Sequence, residues 1–258
     1  WLGYSLVFEG TTSLPVWPPA GIAFAMILLM DRSIWPGITI GALVANLLAY
    51  WNSSQLEPQT VIIISSLIAV GHTLEAVIGN SLTRKWIKDE YPFRNAKSAF
   101  RFLFVTMLMC FAGALIGTGS LYYAGVLDSG SILNNGFFWW VGNVVGILLF
   151  TPFILSVFRK QRITFSMDKA LEISVFILGM IGIVFLLRVD YLSSTIERAL
   201  PFLVIPFLLW LAFRFELIVA ISGVLLTSLA SIYLTVQKFG PFVLSEPYNS
   251  MLLLQIFI

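Results

Sequence analysis

Val61-Ile62-Ile63-Ile64-Ser65-Ser66-Leu67-Ile68-Ala69-Val70-Gly71-His72-Thr73-Leu74-Glu75-Ala76-Val77-Ile78-Gly79-Asn80 is a largely apolar run. Its length, about 20 residues, is what a helix needs to cross a hydrocarbon core of about 30 Å. A membrane barrel would instead show segments of about ten residues that alternate in polarity. Neither this run nor that over 173–187 alternates. With 59% hydrophobic and 11% charged residues, the 258-residue chain has too little polar surface to face water. The expected fold is all-α, a polytopic transmembrane helical bundle.

Hydropathy places apolar runs at 1–12, 14–30, 34–51, 60–82, 100–124, 136–157, 170–187, 200–213, 216–236 and 250 onward. These amount to about 8–10 spans, some broken or kinked at proline. No linker or low-complexity tract interrupts them, so one integral-membrane domain is expected over 1–258. Truncation at both ends is also expected. Trp1 is not Met and opens an apolar stretch too short for a span, and the chain stops inside its last run.

The fifteen Lys and Arg residues fall mainly in every second gap. One side receives Arg32; Arg84, Lys85, Lys88, Arg94, Lys97 and Arg101; Arg159, Lys160, Arg162 and Lys169; and Arg214. The other receives only Arg188, Arg198 and Lys238. Because Lys/Arg excess in short loops sets orientation, the richer side is expected to be cytoplasmic. The exit after the last span is then cytoplasmic too. A cleaved signal peptide does not fit, because this orientation needs the first segment kept as a helix.

In Ser13-Leu14-Pro15-Val16-Trp17-Pro18-Pro19-Ala20-Gly21, three prolines remove backbone donors and disfavour helix before each ring. Irregular backbone at membrane depth must be received by protein or by a wet cavity, so Trp17, Pro18 and Pro19 are candidates for a cavity wall. The simpler reading is a tight hairpin at the outer surface, with proline in the first turn of the second span.

His72 and Glu75, three residues apart, share a helical face, where a carboxylate can hold an imidazolium. Ionisable groups inside a span are costly and usually face the bundle interior. This pair is therefore the leading polar site, with two readings open. One is a proton-sensitive switch, since His titrates near neutral pH; the other is a purely structural interhelical bond. Asn46 and Asn143 join it as buried amides, and for both a bond to a neighbouring helix is the simpler reading. Metal binding is not expected. His72 is the only histidine, Cys110 is the only cysteine and lies in an apolar run, and no ligand spacing suits zinc. No cofactor is expected either.

Phe137-Phe138-Trp139-Trp140 opens a span as interface anchors do, and Trp140 is also a candidate for the polar core. Gly142 with Gly146, Gly37 with Gly41, and Gly113 with Gly117 form small-xxx-small stripes that let helices pack closely. Pro152 is expected to kink its span, and Pro201 and Pro206 to bend the eighth. Trp210 lies near the inner end of that span, and Arg214 marks its boundary.

An ordered set of these residues resembles the type-one membrane-associated sensor (MASE) family. The set is Trp17-Pro18-Pro19-Ala20-Gly21; Trp35-Pro36-Gly37 with Gly41 and Asn46; His72-Thr73-Leu74-Glu75-Ala76; Trp139-Trp140-Val141-Gly142-Asn143 with Gly146 and Pro152; and Pro206 with Trp210 and Arg214. Gly240-Pro241-Phe242 and the stretch 252–257, with Gln255, fit as well. Two positions depart from the family pattern: that of Asn143 is often acidic, and that of His72 often a polar amide.

The resemblance implies a non-catalytic sensory input domain of a bacterial inner-membrane protein. Its partners would be the lipid bilayer, an unknown small molecule or membrane-protein ligand, and a C-terminal cytoplasmic output domain. That output would be a histidine kinase of a two-component system or a cyclic-di-GMP enzyme such as a diguanylate cyclase. It also implies a homodimer and gives no reason to expect nucleic acid. The alternative is a small-solute transporter, which broken helices and intramembrane polar groups would suit. Against transport stand the lack of an internal repeat and the few interior charges. No nucleophile–base pair suggests an intramembrane enzyme.

Overall fold

The computed structural model describes residues 14–53, 56–87, 91–158, 166–186 and 200–258. Among them there is no strand, and there are nine α-helices: α1 Pro18–Met30, α2 Trp35–Ser53, α3 Pro58–Trp86, α4 Ala96–Tyr123, α5 Ile132–Phe158, α6 Met167–Leu186, α7 Val204–Arg214, α8 Leu217–Val236 and α9 Pro247–Phe257. Five segments are long and apolar enough to cross a membrane: Arg32–Trp51, α3, α4, α5 and α8. The run at 1–12 lies outside the described residues, as do Lys88, Arg159, Lys160, Arg162, Arg188 and Arg198. The chain forms two compact units, Val16–Pro152 and Phe153–Ile258 with Trp1–Pro15.

In the first unit α1, α2 and α4 pack on α3. Helix ends follow local chemistry. Pro58 and Pro247 start α3 and α9, where a missing N–H costs nothing. The Asn95 side chain caps α4 by accepting from the Ser98 N–H at 2.9 Å. Arg84 and Lys85 occupy the last turn of α3, where the helix dipole favours cations. Arg84 Nη2 also pairs with Asp31 Oδ1 at 2.8 Å, Arg32 Nη2 donates to Ser81 Oγ at 2.8 Å, and Arg101 Nη1 donates to the Trp86 carbonyl at 2.8 Å. Arg32, Arg84, Lys85 and Arg101 thus gather at one end of this unit. Phe24, Ile27, Phe102, Met109 and Ile147 fill its centre.

The Trp-Pro-Pro break lies inside the unit, not at its surface, with Val16 fully buried. With 13 residues α1 is about 20 Å long, short of a full crossing. It starts beside the middle of α3, where the Trp17 ring stacks on His72 with centroids 6.2 Å apart. That depth is tolerated because the irregular backbone finds partners within the protein. The Trp17 N–H donates to the Gly142 carbonyl at 3.0 Å, and the Trp17 carbonyl accepts from the Ala20 N–H at 3.2 Å.

The glycine stripes, alike in sequence, have different surroundings. A Cβ on Gly146 would collide with the Trp17 backbone, one on Gly21 with the Gly146 carbonyl, and one on Gly117 with the Trp139 ring. Gly37 and Gly41 pack against no helix, and a Cβ on either meets nothing within 4 Å.

In the second unit Phe176, Leu211 and Phe215 form a small core, against which Trp210 packs. Arg214 grips the Glu172 carboxylate with Nε at 3.0 Å and Nη2 at 2.8 Å, and Lys169 Nζ meets Glu216 Oε1 at 2.6 Å, joining α6, α7 and α8 at one end. The eighth run is not one bent helix. Pro201 lies in a 3₁₀ turn, Leu200–Leu203, and Pro206 lies in the first turn of α7, where its missing N–H has no intrahelical partner to lose. Pro152 lies inside α5, which continues past it to Phe158. Phe242 packs on Phe257 of α9 at 4.8 Å.

The contrast between glycines makes a stability prediction. Gly146→Val forces the α1–α5 crossing apart, and overpacking of this kind costs about 1–3 kcal/mol or more. Gly41→Ala enters open space and gains helix propensity. Thermal unfolding in detergent micelles should show a lowered midpoint for the first and an unchanged or raised one for the second.

Candidate functional site

Glu75 sits in the middle of α3 and is 2% exposed. A carboxylate at such a position needs donors inside the protein, because removing its water costs several kcal/mol. Asn143 Nδ2 of α5 donates to Oε2 at 2.9 Å, and the Cys110 thiol of α4 reaches Oε1 at 3.5 Å. His72 Nδ1, one turn away, lies 3.6 Å from Oε2, within ion-pair range but beyond a hydrogen bond. Gly113 makes this convergence possible, since a Cβ there would take the space of Glu75 Oε2.

The His72 imidazole lies between two indoles. Trp17 stacks on it at 6.2 Å with planes 22° apart, and Trp139 faces it at 6.3 Å with planes 30° apart. Both distances fall in the range of offset aromatic pairs. The ring is thereby held beside Glu75 by the break before α1 and by the opening turns of α5.

Asn46 departs from expectation. Its Nδ2 donates to the Ala42 carbonyl of its own helix at 2.8 Å, so it does not bridge helices. Helix α2 docks on α3 instead through Thr39 and Thr73, whose hydroxyls are 2.8 Å apart. Asn46 lines a cavity of about 600 Å³ together with Trp17, Pro19, Gly37, Gly41, His72 and Glu75. Pro18 is the first residue of α1.

Trp140 lies apart from this cluster. Its Nε1 donates to the Met107 carbonyl at 2.8 Å and its ring stacks on Phe111 at 4.9 Å. Trp139 takes the place beside His72 that sequence reading left unassigned. Spacing did not choose between Trp139 and Trp140, since Asn143 lies four residues from the first and three from the second, and both spacings share a helical face. Cys110, read only as an unpaired cysteine, is a Glu75 partner that spacing does not reveal.

An all-helical bundle of membrane-spanning length, with a carboxylate, an imidazole and an amide gathered beside a cavity, has the polar groups to bind a ligand. A model of the MASE1 family matches residues 1–258, the whole chain, and the protein belongs to that family. No curated protein and no solved structure matches it. The chain is thus a membrane-associated sensory domain and is not itself catalytic.

Asn143 and Glu75 should behave as one unit. Asn143→Leu removes the amide donor to a buried charge, a loss of about 1.5–3 kcal/mol. Combined with Glu75→Leu, which removes the charge itself, the loss should be much smaller than the sum of the singles. A double-mutant cycle by thermal unfolding should give a coupling of about 1–2 kcal/mol.

Proposed function

We propose that this domain is the input module of a bacterial inner-membrane signalling protein. It passes a signal through its last helix to a cytoplasmic histidine kinase or cyclic-di-GMP enzyme. The whole-chain match to a sensory family carries this reading. The chain is multi-pass with its C-terminal exit in the cytoplasm, a direction supported by the twelve basic residues on one side against three on the other. It works as a homodimer, since outputs of these classes act in pairs.

The sensing cluster is His72, Glu75 and Asn143, with Asn46, Trp17 and Pro19 on the adjoining cavity. A stimulus acts by favouring one arrangement of the bundle over another, because equal affinity for both would shift nothing. The lever is α9. Gln255, 6% exposed, donates from Nε2 to the Pro15 carbonyl at 2.9 Å, and its Oε1 has no partner among the described residues. Pro15 is two peptide units along the chain from Trp17, the ring that stacks on His72. A shift of Trp17 is therefore felt along the backbone at the carbonyl that Gln255 holds.

Two substitutions in the full-length protein test this. Gln255→Leu keeps the side chain's bulk and removes the bond. It should change kinase or cyclic-di-GMP output by at least about fivefold at equal membrane level, the lower end of ordinary coupling energies. Glu75→Gln should alter output with and without stimulus. Unchanged output in both conditions removes Glu75 from the sensing role.

A further inference from the structure

Helices α1 and α2 both pack on α3 yet stand apart from each other, and the cavity of about 600 Å³ is the cleft between them. Its α1 wall carries Ile22, Met26 and Met30, and its α2 wall carries Gly37, Gly41 and Ala45. Ile22 and Met30 are 45% and 56% exposed, so the apolar side of the cleft is open at the protein surface. At the depth of a span that surface faces lipid. The volume is that of a small-molecule pocket. One turn of helix, about 10 Å across with a 5.4 Å pitch, fills on the order of 400 Å³, so the cavity has room for little more than one turn and not for a spanning helix.

At the polar end of the cleft two acceptors are met weakly or not at all. Asn46 is 6% exposed, and its single side-chain bond among the described residues uses Nδ2, leaving Oδ1 at the cavity wall with no donor. Glu75 Oε1 receives only a thiol, a weak donor, at 3.5 Å. His72 also lines the cleft, with Nδ1 3.6 Å from Glu75 Oε2. No Lys or Arg lines the cleft. The Gly37–Gly41–Ala45 stripe is suited to close helix packing, yet it faces empty space.

We propose that the α1–α2 cleft binds a lipid-soluble amphiphile whose head donates hydrogen bonds. Its compact apolar body lies between Met26 and the glycine stripe, and its hydroxyl or amine N–H meets Asn46 and Glu75. The methionines, with unbranched and polarisable side chains, adapt to the shape of the body. Anionic heads are disfavoured, because they would meet the Glu75 carboxylate and no Lys or Arg. This ligand class deepens the sensory reading, and the binding itself stands independently of it.

The test is photoaffinity labelling of the full-length protein in membranes with three chain-matched diazirine probes, an alkanol, an alkylamine and an alkanoate. The alkanol and the alkylamine should label α1 and α2 peptides about tenfold more than the alkanoate, a factor equal to 1.4 kcal/mol. Gly41→Phe, which fills the cleft without entering a packed contact, should abolish that labelling. Asn46→Leu should weaken it while leaving labelling by an alkane diazirine unchanged. Glu75→Gln separates the two donor classes, since the amine loses its counter-charge while the alkanol keeps an acceptor. Equal labelling by the alkanoate, or labelling indifferent to Gly41→Phe, overturns the proposal. Output measured in the same membranes decides the sensory reading separately: specific labelling with unchanged output leaves the binding site standing and removes its signalling role.

Discussion

The buried carboxylate of Glu75 is the constraint on which the first unit depends. At 2% exposure in the middle of an apolar helix, it must be met by protein donors or not be charged at all. Its partners come from α4 and α5, with Cys110 at 3.5 Å and Asn143 at 2.9 Å, and from His72 on its own helix. Each fixes a neighbour. Asn143 sets the rotation of α5 against α3, and Gly113 sets how near α4 comes, because any side chain there would displace the carboxylate oxygen. A polar contact of this kind specifies one packing among many that apolar surfaces alone would allow.

The same rotation of α5 receives the broken backbone ahead of α1. With Asn143 turned to Glu75, the Gly142 carbonyl accepts the Trp17 N–H and Gly146 lets the Trp17 backbone pass. Thr151 then closes the contact by donating to the Gly21 carbonyl at 2.8 Å. The prolines that forbid a full-length first helix therefore create a short one, held mid-bundle with its aromatic start against His72. Packing is tight along that seam, whereas the cavity lies along the α1–α2 seam. A domain built only for stability would have closed both. The open one borders the polar cluster.

Much of the site was legible in the chain. His72 and Glu75 lie one turn apart, and helix period alone puts them on one face. Asn143 was legible as a buried amide, but its partner, 68 positions away in sequence, was not. Trp140 and Trp139 differ by one position and point about 100° apart. Choosing between them required knowing which face of α5 meets α3. The Gly37–Gly41 and Gly113–Gly117 stripes have the same spacing; one borders open space and the other receives Glu75 and Trp139.

By itself the sequence determined the solvent, the helical class and the ends. Long apolar runs leave no other way to satisfy the backbone in lipid, and the Lys and Arg residues must lie outside the hydrocarbon. Tertiary structure alone decided that the Trp-Pro-Pro break lies deep, that α1 and α2 stand apart, and which donors reach Glu75. The physical reason is that periodicity records what one helix displays. Which display meets which neighbour is a property of several helices packed at once.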